Sequence, residues 1–173
     1  RFTEFHRVPV GGTNAHDFYM DSANSIFSTL EIKDCAFTGG GKMEFEYPSY
    51  ATIGITNSLF ENEAVLFVNS STPFNLAMRN NLCHGGSYGS MFTDSAWTLR
   101  DNVFDSVSAS ETFGSSTHDH NAYINTSTKY FPTNSGDIVL TNFTYDSGPL
   151  GNYYQPTNSA LIGAVSRSAA SAG

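Results

Sequence analysis

A chain of 173 residues has the length of one domain with an enclosed core. Aromatics at 14%, hydrophobics at 39%, 15 glycines and a surplus of Asn, Ser and Thr over charged residues favour strands and tight turns over helices, so an all-β chain is expected. With 8 Lys plus Arg against 16 Asp plus Glu, the formal charge of -8 gives no electrostatic case for nucleic acid or anionic membrane, and no apolar run of about 18 residues offers membrane insertion.

The chain starts at Arg1, and its first residues lack the basic and apolar regions of a signal peptide, so a piece of a larger or processed protein is expected. Residues 1–25, with His6, His16 and Asp17, read as a partial N-terminal coil or cap. A repeat then begins. Leu30–Phe37 (LEIKDCAF), Ile53–Phe60 (IGITNSLF), Leu76–Cys83 (LAMRNNLC), Trp97–Phe104 (WTLRDNVF) and Ile138–Tyr145 (IVLTNFTY) share one order: apolar, any, apolar, any, Asn or Asp, any, small or apolar, bulky. The Asn or Asp positions 34, 57, 80, 101 and 142 are separated by 23, 23, 21 and 41 residues. The last interval holds either two short coils or one coil with a long loop.

Alternating apolar residues mark a strand with one buried face, and a strand recurring at this interval can stack on its own copy in the next coil. Leu30/Ile32, Ile53/Ile55, Leu76/Met78, Trp97/Leu99 and Ile138/Leu140 are expected to point inward, and Phe37, Phe60, Phe104 and Tyr145 to form a second column in which Cys83 is substituted. The Asn or Asp after each short strand is expected to point inward at the turn, where an amide can bond successive coils and Asp34 and Asp101 can only accept. Cys35 and Cys83 lie two coils apart, about 9 to 10 Å at the usual strand spacing, and are expected as free, largely buried thiols.

These five copies, spanning about residues 26–146, resemble the right-handed parallel β-helix repeat proteins, the superfamily of pectate lyases, polygalacturonases and many large bacterial surface proteins. The resemblance implies a right-handed parallel β-helix of about five to seven coils, in a secreted or surface protein of bacterial type, hence an extracellular or cell-surface location. The segment from Gly148 to Ile162 resembles the part that closes such repeats, within a C-terminal stretch 147–173 whose Ser, Ala and Gly residues from Arg167 onward read as disorder. Open coil ends present strand edges through which a second copy could pair, giving a homo-oligomer.

Residues 105–137 do not carry the motif cleanly and read as a long loop, although Ala122-Tyr123-Ile124 has the character of a short strand that would split the interval of 41 into two coils. Inside it, His118-Asp119-His120 sets two imidazoles two residues apart, so on a strand both would share a face and could hold a metal, with Asp105 or His84 conceivable as a third ligand. The competing explanation is a polar loop meeting solvent.

An outward column just before the turn contains Lys33, Thr56, Arg79, Arg100 and Thr141. Arg79 and Arg100 would sit side by side, which is unfavourable unless an anion joins them. A uronate or sulfate of an acidic polysaccharide would serve. So would a carboxylate from Glu61, Glu63, Asp94 or Asp105. Tyr47, Tyr50, Tyr88, Tyr123, Tyr130, Tyr153 and Tyr154 lie outside the motif and are candidate sugar platforms or wall residues. No Gly-x-Ser-x-Gly elbow occurs, Gly86-Ser87-Tyr88-Gly89 reads as a loop, Gly39-Gly40-Gly41 lacks the context of a phosphate loop, and the outward positions lack the regular Thr array of an ice-binding face.

Two functions follow from the resemblance. One is a noncatalytic module, a stalk or polysaccharide-contacting surface, with no cofactor. The other is a polysaccharide lyase or glycoside hydrolase acting on an acidic glycan, with Arg79, Arg100, His118, Asp119 and His120 near the cleft and calcium as cofactor if it is a lyase. The absence of a dense outward Asp and Glu cluster favours the first.

Overall fold

Alternation in the repeat is read by the chain as strand. In Asn75–Arg79 the residues run exposed, buried, half-buried, buried, half-buried, with Leu76 and Met78 turned inward. The computed structural model describes residues 3–6, 18–21, 28–46, 52–68, 74–90, 96–109, 115–128, 133–134, 136–149 and 151–166. It opens with β1 (Thr3–His6) and β2 (Phe18–Asp21). One full coil follows in β3 (Thr29–Lys33), β4 (Cys35–Thr38) and β5 (Lys42–Glu46), and the next in β6 (Thr52–Thr56), β7 (Leu59–Glu61) and β8 (Ala64–Val68). A third is β9 (Asn75–Arg79), β10 (Leu82–His84) and β11 (Ser87–Ser90). In the fourth, β12 (Ala96–Arg100) and β13 (Val103–Asp105) precede a β14 shrunk to Ser108–Ala109. The last coil keeps β15 (Ser115–Asp119) and β16 (Ala122–Ile124); β17 (Ile138–Leu140) adds a single rung, and β18 (Asp146–Gly148) with β19 (Gly151–Tyr154) forms an antiparallel hairpin.

The strands assemble into three parallel sheets: β1-β4-β7-β10-β13-β16-β17, β2-β5-β8-β11-β14 and β3-β6-β9-β12-β15. The fold is therefore an all-β parallel solenoid, with no helix among the described residues. About three coils carry three full strands, fewer than the five to seven expected. The motif counts rungs of two sheets, and terminal rungs extend a ladder without completing a coil.

Register confirms four of the five motif copies. Leu30, Ile53, Leu76 and Trp97 are successive partners, as are Ile32, Ile55, Met78 and Leu99. The fifth copy is displaced. Ile138–Leu140 pairs with Ala122–Ile124 in the seven-stranded sheet, so Ile138 and Leu140 lie outside the inward column, and Ser116 and His118 take the places after Trp97 and Leu99. Likewise Tyr123, not Tyr145, continues the ring column Phe37, Phe60, Cys83, Phe104. Phe37 and Phe60 stack at 5.3 Å, and Phe104 and Tyr123 at 5.6 Å. At the gap in that column, the Tyr88 hydroxyl donates to the Cys83 sulfur at 2.8 Å. Val139 ends the column 58% exposed.

The corner between the β3-type and β4-type strands differs from expectation by one position. Asp34, Asn57, Asn80, Asp101 and His120 occupy it with φ of 54, 54, 55, 57 and 55°, the left-handed region that short polar side chains tolerate best. His120 thus holds the fifth place expected of Asn142, which is exposed. The left-handed residue interrupts the period of two, so the residue after it turns inward instead. Ser58, Asn81, Asn102 and Asn121 are there, 4%, 2%, 1% and 1% exposed. Each amide oxygen accepts a backbone N–H from the preceding coil: Ser58 on Asn81 at 2.9 Å, Asn81 on Asn102 at 3.1 Å, Asn102 on Asn121 at 3.0 Å. Each amide nitrogen donates to a carbonyl of the preceding coil's first strand: Asn81 to Ile55, Asn102 to Met78, Asn121 to Leu99. Asp137 caps the series by accepting the Asn121 N–H at 2.7 Å.

At the next corner Gly86 is required. A Cβ there would stand 2.1 Å from the Glu63 carbonyl oxygen. Ser87–Ser90 beyond it is strand rather than the expected loop, because it pairs with β8 and β14. Cys35 and Cys83 are both free; Cys83 is fully buried, Cys35 only half-buried.

Candidate functional site

Outward residues of the β3-type sheet form straight columns because every rung is in register. Lys33, Thr56, Arg79 and Arg100 align as expected, but Asp119 follows them where Thr141 was expected. The Arg100 guanidinium meets the Asp119 carboxylate at 2.9 Å, so the carboxylate that relieves the arginine pair comes from the next coil. None of Glu61, Glu63 or Asp105 does this: Glu61 and Asp105 belong to another sheet, and the buried Glu63 carboxylate accepts the Gly41 N–H at 3.2 Å. Arg79 pairs with no carboxylate among the described residues. Beside the arginines runs the column Glu31, Gly54, Ala77, Thr98 and Thr117, in which the Glu31 carboxylate lies over Gly54 and the other side chains are small.

The histidine motif is divided by the strand end. His118 points into the solenoid, 3% exposed, with its Nδ1 3.3 Å from the Tyr123 hydroxyl and its buried Nε2 without a hydrogen-bond partner. Burial lowers its pKa, an effect the nearby Asp137 charge partly offsets. His120 sits in the left-handed corner with its Nδ1 against the Asp119 carboxylate. Asp105 and His84 are register partners on the outer face of the seven-stranded sheet, alternating with the inward Phe104 and Cys83, so the sheet separates them from His118. Asp105 accepts from Tyr145 and from Ser106, both at 3.0 Å. Among the described residues no group of three His, Cys, Asp or Glu side chains is arranged to hold a metal. Asp94, Tyr47, Tyr50, Tyr130, His16, Asp17 and the tail 167–173 lie outside the described residues.

A further feature has no signature in the motif. The segment after β17 folds back as a strap over the outer face of the seven-stranded sheet. Tyr145 and Tyr153 pack edge-on against His84 at 6.0 and 5.8 Å, and Leu161 joins Ala122 and Ile124 in a small apolar cluster. Burial raises the Tyr145 and Tyr153 hydroxyl pKa values, with Asp105 adding to the first and Glu61 to the second. Between strap and solenoid lie two small adjoining open hollows that share Asn80 and Leu82. One wall is the left-handed corner, Asn57, Asn80, Asp101 and His120, and the other carries Tyr153, Tyr154 and Gln155. The strap is latched at its end by Ser166, whose N–H and hydroxyl donate to the two oxygens of the Asp101 carboxylate at 2.6 and 2.7 Å. No protein-family model, curated protein or solved structure matches the chain.

Proposed function

We propose that this solenoid is a noncatalytic extracellular module, related to the pectate lyase-like β-helix proteins of secreted bacterial type, that serves as a stiff stalk and contacts an acidic polysaccharide through its arginine-bearing sheet. The observation that carries this reading is the register of Arg79 with Arg100 on neighbouring coils, with Arg79 lacking a carboxylate partner among the described residues. A flat parallel sheet sets such cations about 4.8 Å apart, and a uronate or sulfate on an extended glycan can bridge them. The adjacent small side chains of Ala77, Thr98 and Thr117 let a chain lie close to the backbone there. Reliance on surface charge makes the contact weak singly and dependent on salt.

The test is a titration with polygalacturonate, alginate and a sulfated glycan, with and without calcium, while ultraviolet absorbance follows unsaturated products. Binding without turnover, lost in Arg79→Ala and in high salt, supports the reading. Turnover abolished by Arg79→Ala or Arg100→Ala would replace it with the lyase, and absence of binding to every acidic glycan would leave only the stalk.

A further inference from the structure

We propose that the last rung of the β3-type sheet is a histidine-gated cap: uptake of a proton by buried His118 swings β15 off β12 and releases the turn formed by Asn134, Gly136 and Asp137, opening that end of the solenoid before the rest unfolds. Three observations carry it.

The first is the place His118 occupies. Ile32, Ile55, Met78 and Leu99 form one inward column, and His118 ends it where a fifth apolar side chain belongs. It is 3% exposed, with Nδ1 3.3 Å from the Tyr123 hydroxyl and Nε2 without a hydrogen-bond partner. A neutral imidazole leaves one ring position unsatisfied there. An imidazolium is worse placed, because it brings a charge and a donor on each nitrogen, and the Tyr123 oxygen can serve only one of them. The surrounding groups offer no uncommitted counter-charge. Tyr123 on β16 is kept neutral by burial, and Arg100 of β12 and Asp119 of β15 pair with each other on the outer face. His120 is turned against Asp119, and the Asp137 carboxylate is engaged by the N–H groups of Asn121 and Asn134.

The second is where the turn is fastened. Inside it, the Asn134 N–H donates to Asp137 Oδ2 at 2.8 Å and the Asp137 N–H to the Asn134 carbonyl at 3.0 Å. It grips the rung at two points: the Asn134 side-chain amide donates to the His118 carbonyl, and Asp137 Oδ1 accepts the Asn121 N–H at 2.7 Å. A Cβ on Gly136 would stand 3.0 Å from the His120 ring, so the turn lies close against the corner. The clasp is thus tied to the backbone of the residue that titrates, and His118 cannot carry its ring to water without undoing it.

The third is the weakness of the rung. β15 lies at the edge of its sheet and pairs with β12 alone, whereas β9 and β12 are held on both edges. Ser115–Asp119 contains no large apolar side chain, so backbone bonds to β12 and the pair between Asp119 and Arg100 are its main attachments. A terminal rung of this kind opens more readily than the coils beneath it. Asp119 leaves Arg100 when β15 leaves, so the opened form frees the second arginine of the pair; the opening itself does not depend on what those arginines bind.

The experiment is amide hydrogen exchange by NMR on the full chain, each rate divided by its intrinsic value, at about pH 7.5 and about pH 5. The Asp101 N–H donates to the Asp119 carbonyl and the Asn121 N–H to Asp137, so these two report the cap. The N–H groups of Asn57 and Asn80, bonded to the carbonyls of Arg79 and Arg100, hold the same corner on interior coils and serve as references. Protection at Asp101 and Asn121 should fall about tenfold further than at the references, because the opened form binds a proton as an ordinary imidazole does and the closed form binds it more weakly. His118→Leu should abolish that difference. Asp137→Asn keeps an acceptor oxygen for Asn121 without titrating and should preserve it. In the unmutated chain the His118 ring protons should titrate with the same midpoint as the loss of protection, which keeps the test independent of how the variants fold. Equal loss at all four amides, no loss, a loss that survives His118→Leu or vanishes in Asp137→Asn, or a different midpoint for the His118 ring each overturns the proposal.

Discussion

Asn102 donates its side-chain amide to the side-chain oxygen of Asn121 at 3.1 Å, one coil further along the solenoid. Asn81 does the same to Asn102 at 2.9 Å, so the buried amides form a continuous axial chain inside the corner. Asn102 is the central link: it receives the Asn81 N–H and gives its own amide to the Met78 carbonyl. Asn102→Leu should destabilise the protein by about 3 kcal/mol, because several buried polar groups lose their partner together while the added apolar contact returns only part of that loss. Urea denaturation measures this, and a loss under about 1 kcal/mol would mean that water reaches the corner.

The left-handed corner makes a separate demand on backbone. Asn80, at φ 55°, should accept Gly with a change of at most about 0.5 kcal/mol, but Asn80→Val should cost about 2 kcal/mol or more, since a β-branched side chain clashes in that region. Thermal melting of the two variants checks the order. Equal effects would show that the Asn80 side-chain bond to Asn57, at 3.0 Å, matters more than the backbone.

His118 introduces a dependence on pH. Its folded pKa lies below the ordinary imidazole value of 6.5, so on acidification the unfolded chain takes up the proton first. Stability from this group is complete above the unfolded value and is lost as pH falls from there through the folded value. His118→Leu, which continues the Met78 and Leu99 column, should flatten the difference in melting temperature between about pH 7 and pH 5. An unchanged slope would place the acid sensitivity in other groups.

The two thiols should differ in reactivity. Burial pushes the Cys83 thiol up to about 12, while Cys35 is raised by burial but stands half-buried. A disulfide reagent at mildly alkaline pH should label Cys35 at least about a hundredfold faster than Cys83, whose labelling should follow unfolding. Comparable rates in the native protein would show that the ring column opens locally.

What the sequence by itself determined is the periodic part. Apolar alternation and a short polar residue after each strand recur at 23, 23 and 21 residues, and these suffice to align four rungs and to place Arg79 beside Arg100. Where the period failed, so did the alignment. Ser115–Asp119 carries too few apolar residues to announce a strand, yet it completes a rung because its backbone N–H and C=O groups are satisfied by β12 regardless of side chain. That unseen rung moved His118 into the core, put Asp119 against Arg100 and displaced the fifth motif copy to a different sheet. Tertiary structure alone decided the inward amide chain, because a left-handed corner shifts the period by one, and the strap, because the bond between Ser166 and Asp101 joins residues 65 apart with no repeat to relate them.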